Sequence, residues 1–157
     1  MKSQTAGVLE LLKQHELVIK QLYDFFAEYF PQKKDFWLKI ASEEQRHADF
    51  LQTLELNEAY VSWFTDNSHL SLVAIQSSID FVTQERERMN VSGTTLLKAY
   101  AFSKDIEDAL LEKYLSKINV NIPPQIAQVM AVLVADTKRH AQEMTAVLLE
   151  ERKAQSK

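Results

Sequence analysis

Two short stretches of the chain set side chains at a spacing suited to gripping a cation. In SEEQRHA (42–48), His47 follows Glu44 by three positions. In VADTKRHAQEM (134–144), His140 follows Thr137 by the same three, and Arg139, His140 and Ala141 repeat Arg46, His47 and Ala48. Residues three apart on a helix share a face, so Glu44 and His47 can close on one ion through a carboxylate oxygen and an imidazole nitrogen. At 137 a threonine hydroxyl stands where the first stretch has its carboxylate. A lone Glu-x-x-His is common on helices that bind nothing, so its weight depends on its company.

That company is an internal repeat. KQHELVIKQLY (13–23) aligns with KDIEDALLEKY (104–114), which sets Lys13, Glu16 and Tyr23 over Lys104, Glu107 and Tyr114. Glu16 precedes Glu44 by 28 residues, and Glu107 precedes Thr137 by 30. The chain therefore reads as two similar helix pairs. Glu16 and Glu107, on two further helices, can each bring a carboxylate to bridge two ions. Carboxylate oxygen with imidazole nitrogen suits iron or manganese and tolerates zinc or cobalt. Tyr23 and Tyr114 lie two turns beyond their glutamates, placed to donate hydrogen bonds around the ions or simply to pack.

The positioning elements follow from apolar periodicity. A first helix is expected from about Thr5 to Tyr29, ended by Pro31, and a second from about Lys33 to Phe64. TDNSH (65–69) reads as a turn, Leu70 to about Met89 as a third helix, and NVSG (90–93) as a loop. A fourth helix is expected from Thr94 to about Ile118. Pro123 or Pro124 then suits the first turn of a fifth, running to about Lys153. The expectation is one domain over 1–157, with a helix pair at 5–64, a crossover helix at 70–89 and a second pair at 94–153. Phe25, Phe26 and Phe30 read as core filling, and Trp37 and Trp63 as helix contacts.

Composition agrees and excludes alternatives. Two glycines and three prolines in 157 residues leave room for long helices and few turns. With no cysteine there are no disulfides, thiolate zinc sites or iron–sulfur clusters. A net charge of −4 with scattered positive residues gives no nucleic-acid footprint. No apolar run reaches membrane-spanning length, and the first residues do not read as a secretory signal, so a cytoplasmic protein is expected.

With Glu16 and Tyr23, EEQRHA, Glu107 and Tyr114, and DTKRHA in view, the chain resembles the ferritin-like superfamily, and within it rubrerythrin-type di-iron proteins, over nearly its whole length. The resemblance implies an all-α, ferritin-like four-helix bundle with an additional crossover helix between bundle helices 2 and 3. It implies metal ligands at Glu16, Glu44, His47, Glu107 and His140, two iron ions per chain, reaction with peroxide or oxygen, and a homodimer. The sixth ligand of that pattern falls on Thr137, which leaves three carboxylates for two cations. Rubrerythrins proper feed electrons through a cysteine-bound iron; lacking cysteine, this chain needs an external electron donor.

Three functions follow from the threonine: a modified di-iron oxidoreductase or iron-handling protein, a single-metal protein, or a metal-free helical module with a partner-binding role. In the third, Lys13 or Lys104 would neutralise the carboxylates. Asp136 is rotated by about 100° from the ligand face, in register with Glu43, and is expected toward solvent or a neighbouring helix. His15 and His69 have no partner spacing and receive no role.

Overall fold

The computed structural model describes residues 7–117 and 122–156, so Thr5 and Ile118, two of the expected helix ends, lie outside it. Within the described residues the chain is all-α: α1 (Val8–Tyr29), a 3-10 turn (Pro31–Lys33), α2 (Lys34–Glu55), α3 (Glu58–Asn67), α4 (Leu72–Ser92), α5 (Leu96–Lys117) and α6 (Pro124–Gln155). Six α-helices replace the five expected, because the helix drawn over 33–64 breaks at Leu56 and Asn57. Asn57 explains the break: its side-chain oxygen accepts the Ala59 N–H at 2.9 Å and caps a new helix. The expected turn over 65–69 begins later, because α3 continues to Asn67 and Ser71 caps α4 through the Ala74 N–H.

The loop expected at 90–93 is mostly helix, and α4 runs to Ser92. Gly93 ends it at φ 83°, donating its N–H to the Met89 carbonyl at 2.8 Å. A Cβ there would lie 3.2 Å from the Tyr29 hydroxyl, so both the backbone and the neighbour favour glycine. Pro124 opens α6, where a missing N–H costs nothing.

Two helical hairpins dominate. α1 packs along α2 and α5 along α6, α4 lies against α1, and α2 touches α6 more lightly. Register shows the directions. Lys13 meets Glu55 while Tyr23 meets Trp37, so α1 and α2 are antiparallel. Tyr23 reaches Glu107 and Tyr114 reaches Glu16, so α1 and α5 are antiparallel too. Arg46 with Asp136 and Glu43 with Arg139 show the same for α2 and α6.

An aromatic plug closes the core beneath the Glu/His residues. Trp37, fully buried, stacks on Tyr100 with ring centroids 5.3 Å apart and meets Phe26 at 4.8 Å and Tyr23 at 5.6 Å. Such contacts add to the area that large rings remove from water. Phe26 and Phe30 are buried as expected, whereas Phe25 is half-buried. Trp63 is also half-buried and meets Phe64 edge-on.

Candidate metal centre

The apolar faces of α1, α2, α5 and α6 carry five ionisable residues inward. Glu16, Glu44, His47, Glu107 and His140 are each fully buried, as is Thr137. Glu16, Glu44 and His47 offer ligand atoms within 4.8 Å of one another, and so do Glu44, Glu107 and His140. Glu44 belongs to both groups. The residue common to the two is therefore the Glu of the complete Glu-x-x-His pair; Glu16 and Glu107, expected to bridge, each serve one side.

Ring orientation is consistent on both sides. His47 Nδ1 lies 3.3 Å from Glu44 Oε2 and 3.6 Å from Glu16 Oε2. His140 Nδ1 lies 3.0 Å from Glu44 Oε1 and 3.5 Å from Glu107 Oε1. The opposite nitrogens face outward to carboxylates on the other hairpin. His47 Nε2 is 2.8 Å from Asp136 Oδ2, and His140 Nε2 is 3.2 Å from Glu43 Oε2. An Nε2–H held by a carboxylate leaves Nδ1 as the lone pair aimed at the cluster, an arrangement that orients imidazole ligands. Arg46 pairs with Asp136 at 2.7 Å, and Arg139 pairs with both Glu43 and Asp136.

Two tyrosines complete the cup by reaching across. Tyr23 on α1 donates to Glu107 Oε1 at 2.7 Å, and Tyr114 on α5 donates to Glu16 Oε1 at 2.5 Å. Of the two expectations for Tyr23 and Tyr114, hydrogen bonding around the cluster is what the geometry has. Burial, then the charge of nearby glutamates, pushes both phenols well above their usual range, so each stays a donor.

Electrostatics describe a crowded cluster in which three carboxyls press on one another and on two imidazoles. Burial and the charges of Glu16 and Glu107 hold the Glu44 carboxyl well above the usual carboxylate range. Burial also opposes ionisation of Glu16, yet hydrogen bonds from Glu44, His47 and Tyr114 bring it down to about 2. Desolvation would lower both imidazoles. Glu16 and Glu44 instead raise His47 to about 11, and Glu107 and Glu44 raise His140 to about 11. Protons thus sit where a cation would, and a cation would displace them.

The donor atoms fit a metal. Among the described residues, Glu16 Oε2, Glu107 Oε2 and Thr137 Oγ1 are buried with no hydrogen-bond partner, while Glu44 Oε1 and His140 Nδ1 face each other at 3.0 Å. Buried polar atoms are nearly always paired, so unpartnered carboxylate oxygens on Glu16 and Glu107, each in a group with an imidazole, call for a ligand that accepts lone pairs. Three carboxylates and two imidazoles are a hard oxygen and nitrogen set, suited to iron or manganese and open to zinc.

Some expectations fail here. Neither Lys13 nor Lys104 neutralises the cluster: Lys13 pairs with Glu10 and Glu55, and Lys104 with Asp108. Asp136 does leave the ligand face for a neighbouring helix, but its task there, holding His47, went unread. So did that of Glu43. A signal existed: each stands four residues before its own hairpin's histidine, an acid repeated in both copies. His15, given no role, is 5% exposed and has a buried Nδ1 with no partner among the described residues.

No protein-family model, curated protein or solved structure matches the chain. Among the described residues, no helix is long and apolar enough to cross a membrane.

Proposed function

We propose that the chain is a ferritin-like metal protein of rubrerythrin type. Glu16, Glu44 and His47 hold one ion, and Glu44, Glu107 and His140 hold a second. Iron is the first choice, with manganese or zinc as substitutes. The observation that carries this reading is the pair of buried Glu/His groups that meet on a common glutamate, with unpartnered carboxylate oxygens on Glu16 and Glu107. A ferrous pair, when bound, supplies the electrons for reduction of peroxide or oxygen, as the resemblance implies. The protein's own residues prepare the place. Tyr23 and Tyr114 fix the Glu107 and Glu16 carboxylates, and Asp136 and Glu43 fix the imidazoles. Thr137 contributes a neutral hydroxyl, so an exogenous anion completes the charge balance.

An external electron donor and a homodimer belong to the same reading. Anaerobic titration with ferrous iron is expected to saturate at two ions per chain, and added peroxide to oxidise them. Stoichiometry near zero refutes it.

Thr137 favours a second reading, in which one ion binds at Glu16, Glu44 and His47 and the other group stays weak. Protein purified without chelators then carries close to one ion per chain, and Thr137→Glu raises the second occupancy. Unchanged occupancy in that variant counts against this version.

A further inference from the structure

Between α4 and α5 lies a cavity of about 390 Å³, within the size range of small-molecule sites. Phe81 and Val82 from α4 and Phe102 and Leu110 from α5 form apolar walls, and Phe81 meets Phe102 with centroids 5.7 Å apart. Two of the polar side chains in this lining, His15 and Lys113, are at least half-buried and make no hydrogen bond or ion pair among the described residues. His15, 5% exposed, is one of the lining residues, and neither of its ring nitrogens has a hydrogen-bond partner among the described residues. Lys113 is half-buried, and its ammonium makes no ion pair or hydrogen bond among the described residues. The half-buried Lys113 ammonium loses solvation that the charge of Glu16 returns only in part, and the His15 ring can offer an N–H, so the site suits an acceptor that carries negative charge.

The far end of the cavity sets a limit. Asp105 also lines it, eight residues before Lys113 on the same helix, which is about 12 Å at 1.5 Å per residue. A second acidic group on the ligand would meet this carboxylate, while an apolar body would lie along Ile106 and Leu110 between the two charges.

We propose that the cavity between α4 and α5 binds a small monocarboxylic acid with an aryl or short alkyl body, its carboxylate held by Lys113 and His15. The site is distinct from the Glu/His cluster, although α1 and α5 serve both: His15 precedes Glu16, and Lys113 precedes Tyr114. It does not depend on metal being bound.

Calorimetric titration of the full chain with phenylbutyrate, its primary amide and phenylglutarate tests this, on metal-depleted and metal-loaded protein alike. The acid is expected to bind saturably at one per chain in both preparations, with the amide and the diacid weaker by about tenfold or more. Lys113→Met should weaken the acid by about tenfold and leave the amide unchanged. Ala109→Trp, which fills the cavity from an exposed position, should abolish binding. Equal binding of acid and amide, or no effect of either substitution, overturns the proposal. Binding that vanishes on metal depletion and ignores Ala109→Trp places the acid at the cluster and also overturns it. A dimer that Phe81→Asp dissociates, with no heat from the acid, shows a second copy on this face and overturns it as well.

Discussion

Glu44→Gln separates the demands of metal from those of the fold. The amide has nearly the volume of the carboxyl, so no cavity opens at this fully buried position. Each candidate group falls from two carboxylates and an imidazole to one carboxylate and an imidazole, since Glu44 belongs to both. A unit charge about 4 Å from another is worth about 4 kcal/mol at an effective dielectric near 20, and a divalent ion doubles it. Desolvation of the carboxylate cancels several kcal/mol of that, leaving about 3 kcal/mol per ion. The expected outcome is a loss of roughly a hundredfold in affinity at both groups. The metal-free protein should respond in the opposite sense. The folded state holds the Glu44 carboxyl above its ordinary 4.5, so ionisation costs nothing below pH 4.5 and destabilises increasingly above it. The glutamine cannot ionise, so metal-free Glu44→Gln should melt at or above the wild-type temperature at neutral pH, and the two should converge in acid. Anaerobic metal titration and calorimetric melting in chelator measure the two halves. A variant that keeps two ions at wild-type affinity, or whose metal-free form melts well below wild type, refutes the reasoning.

Asp136→Asn should weaken metal chiefly at the His47 side and Glu43→Gln at the His140 side, each by about 10–100-fold, as expected when an imidazole loses its carboxylate partner. Equal loss from both sides in either variant, read by site-resolved spectroscopy, would argue against separate roles. In metal-free protein, His47 and His140 are each raised from 6.5 to about 11. Their stabilising contribution is complete below pH 6.5 and disappears as pH climbs through about 11, so melting temperatures in chelator should fall across that interval; a flat profile contradicts the pairing. Gly93→Ala should cost about 1 kcal/mol or more, because it combines φ 83° with a Cβ 3.2 Å from the Tyr29 hydroxyl. Denaturant melts of that variant with and without Tyr29→Phe show whether the hydroxyl contact adds to the backbone term.

Much of this architecture is readable in the letters. Scarce glycine and proline with period-3.6 apolar positions announce long helices, and the repeat aligns the inward-facing residues before any coordinates exist. What stays hidden depends on neighbours distant in sequence. Asn57 looks like any polar residue until its side chain is seen holding the Ala59 N–H, so the break after α2 escapes a periodicity reading. The partnership of His47 with Asp136 joins positions 89 apart, and only the packing of α2 on α6 creates it. Tyr23 and Tyr114 could be placed near the cluster from spacing, but not their exchange of glutamates. His15 offers no spacing signal at all, because its cavity is made by α4 and α5.

That exchange has a consequence for how such a centre can exist. Each hairpin supplies a tyrosine whose acceptor lies on the other hairpin, and an acid whose histidine does too. A solitary hairpin would hold these groups with nothing to receive them, so the smallest unit able to assemble the centre is a pair. Joining the copies through α4 turns that encounter into an intramolecular one, at an effective concentration no free hairpin would reach. Dilution then ceases to threaten the pairing. One copy can carry threonine at 137 while its sibling keeps Glu44, a tolerance that two separate, identical hairpins could never have had.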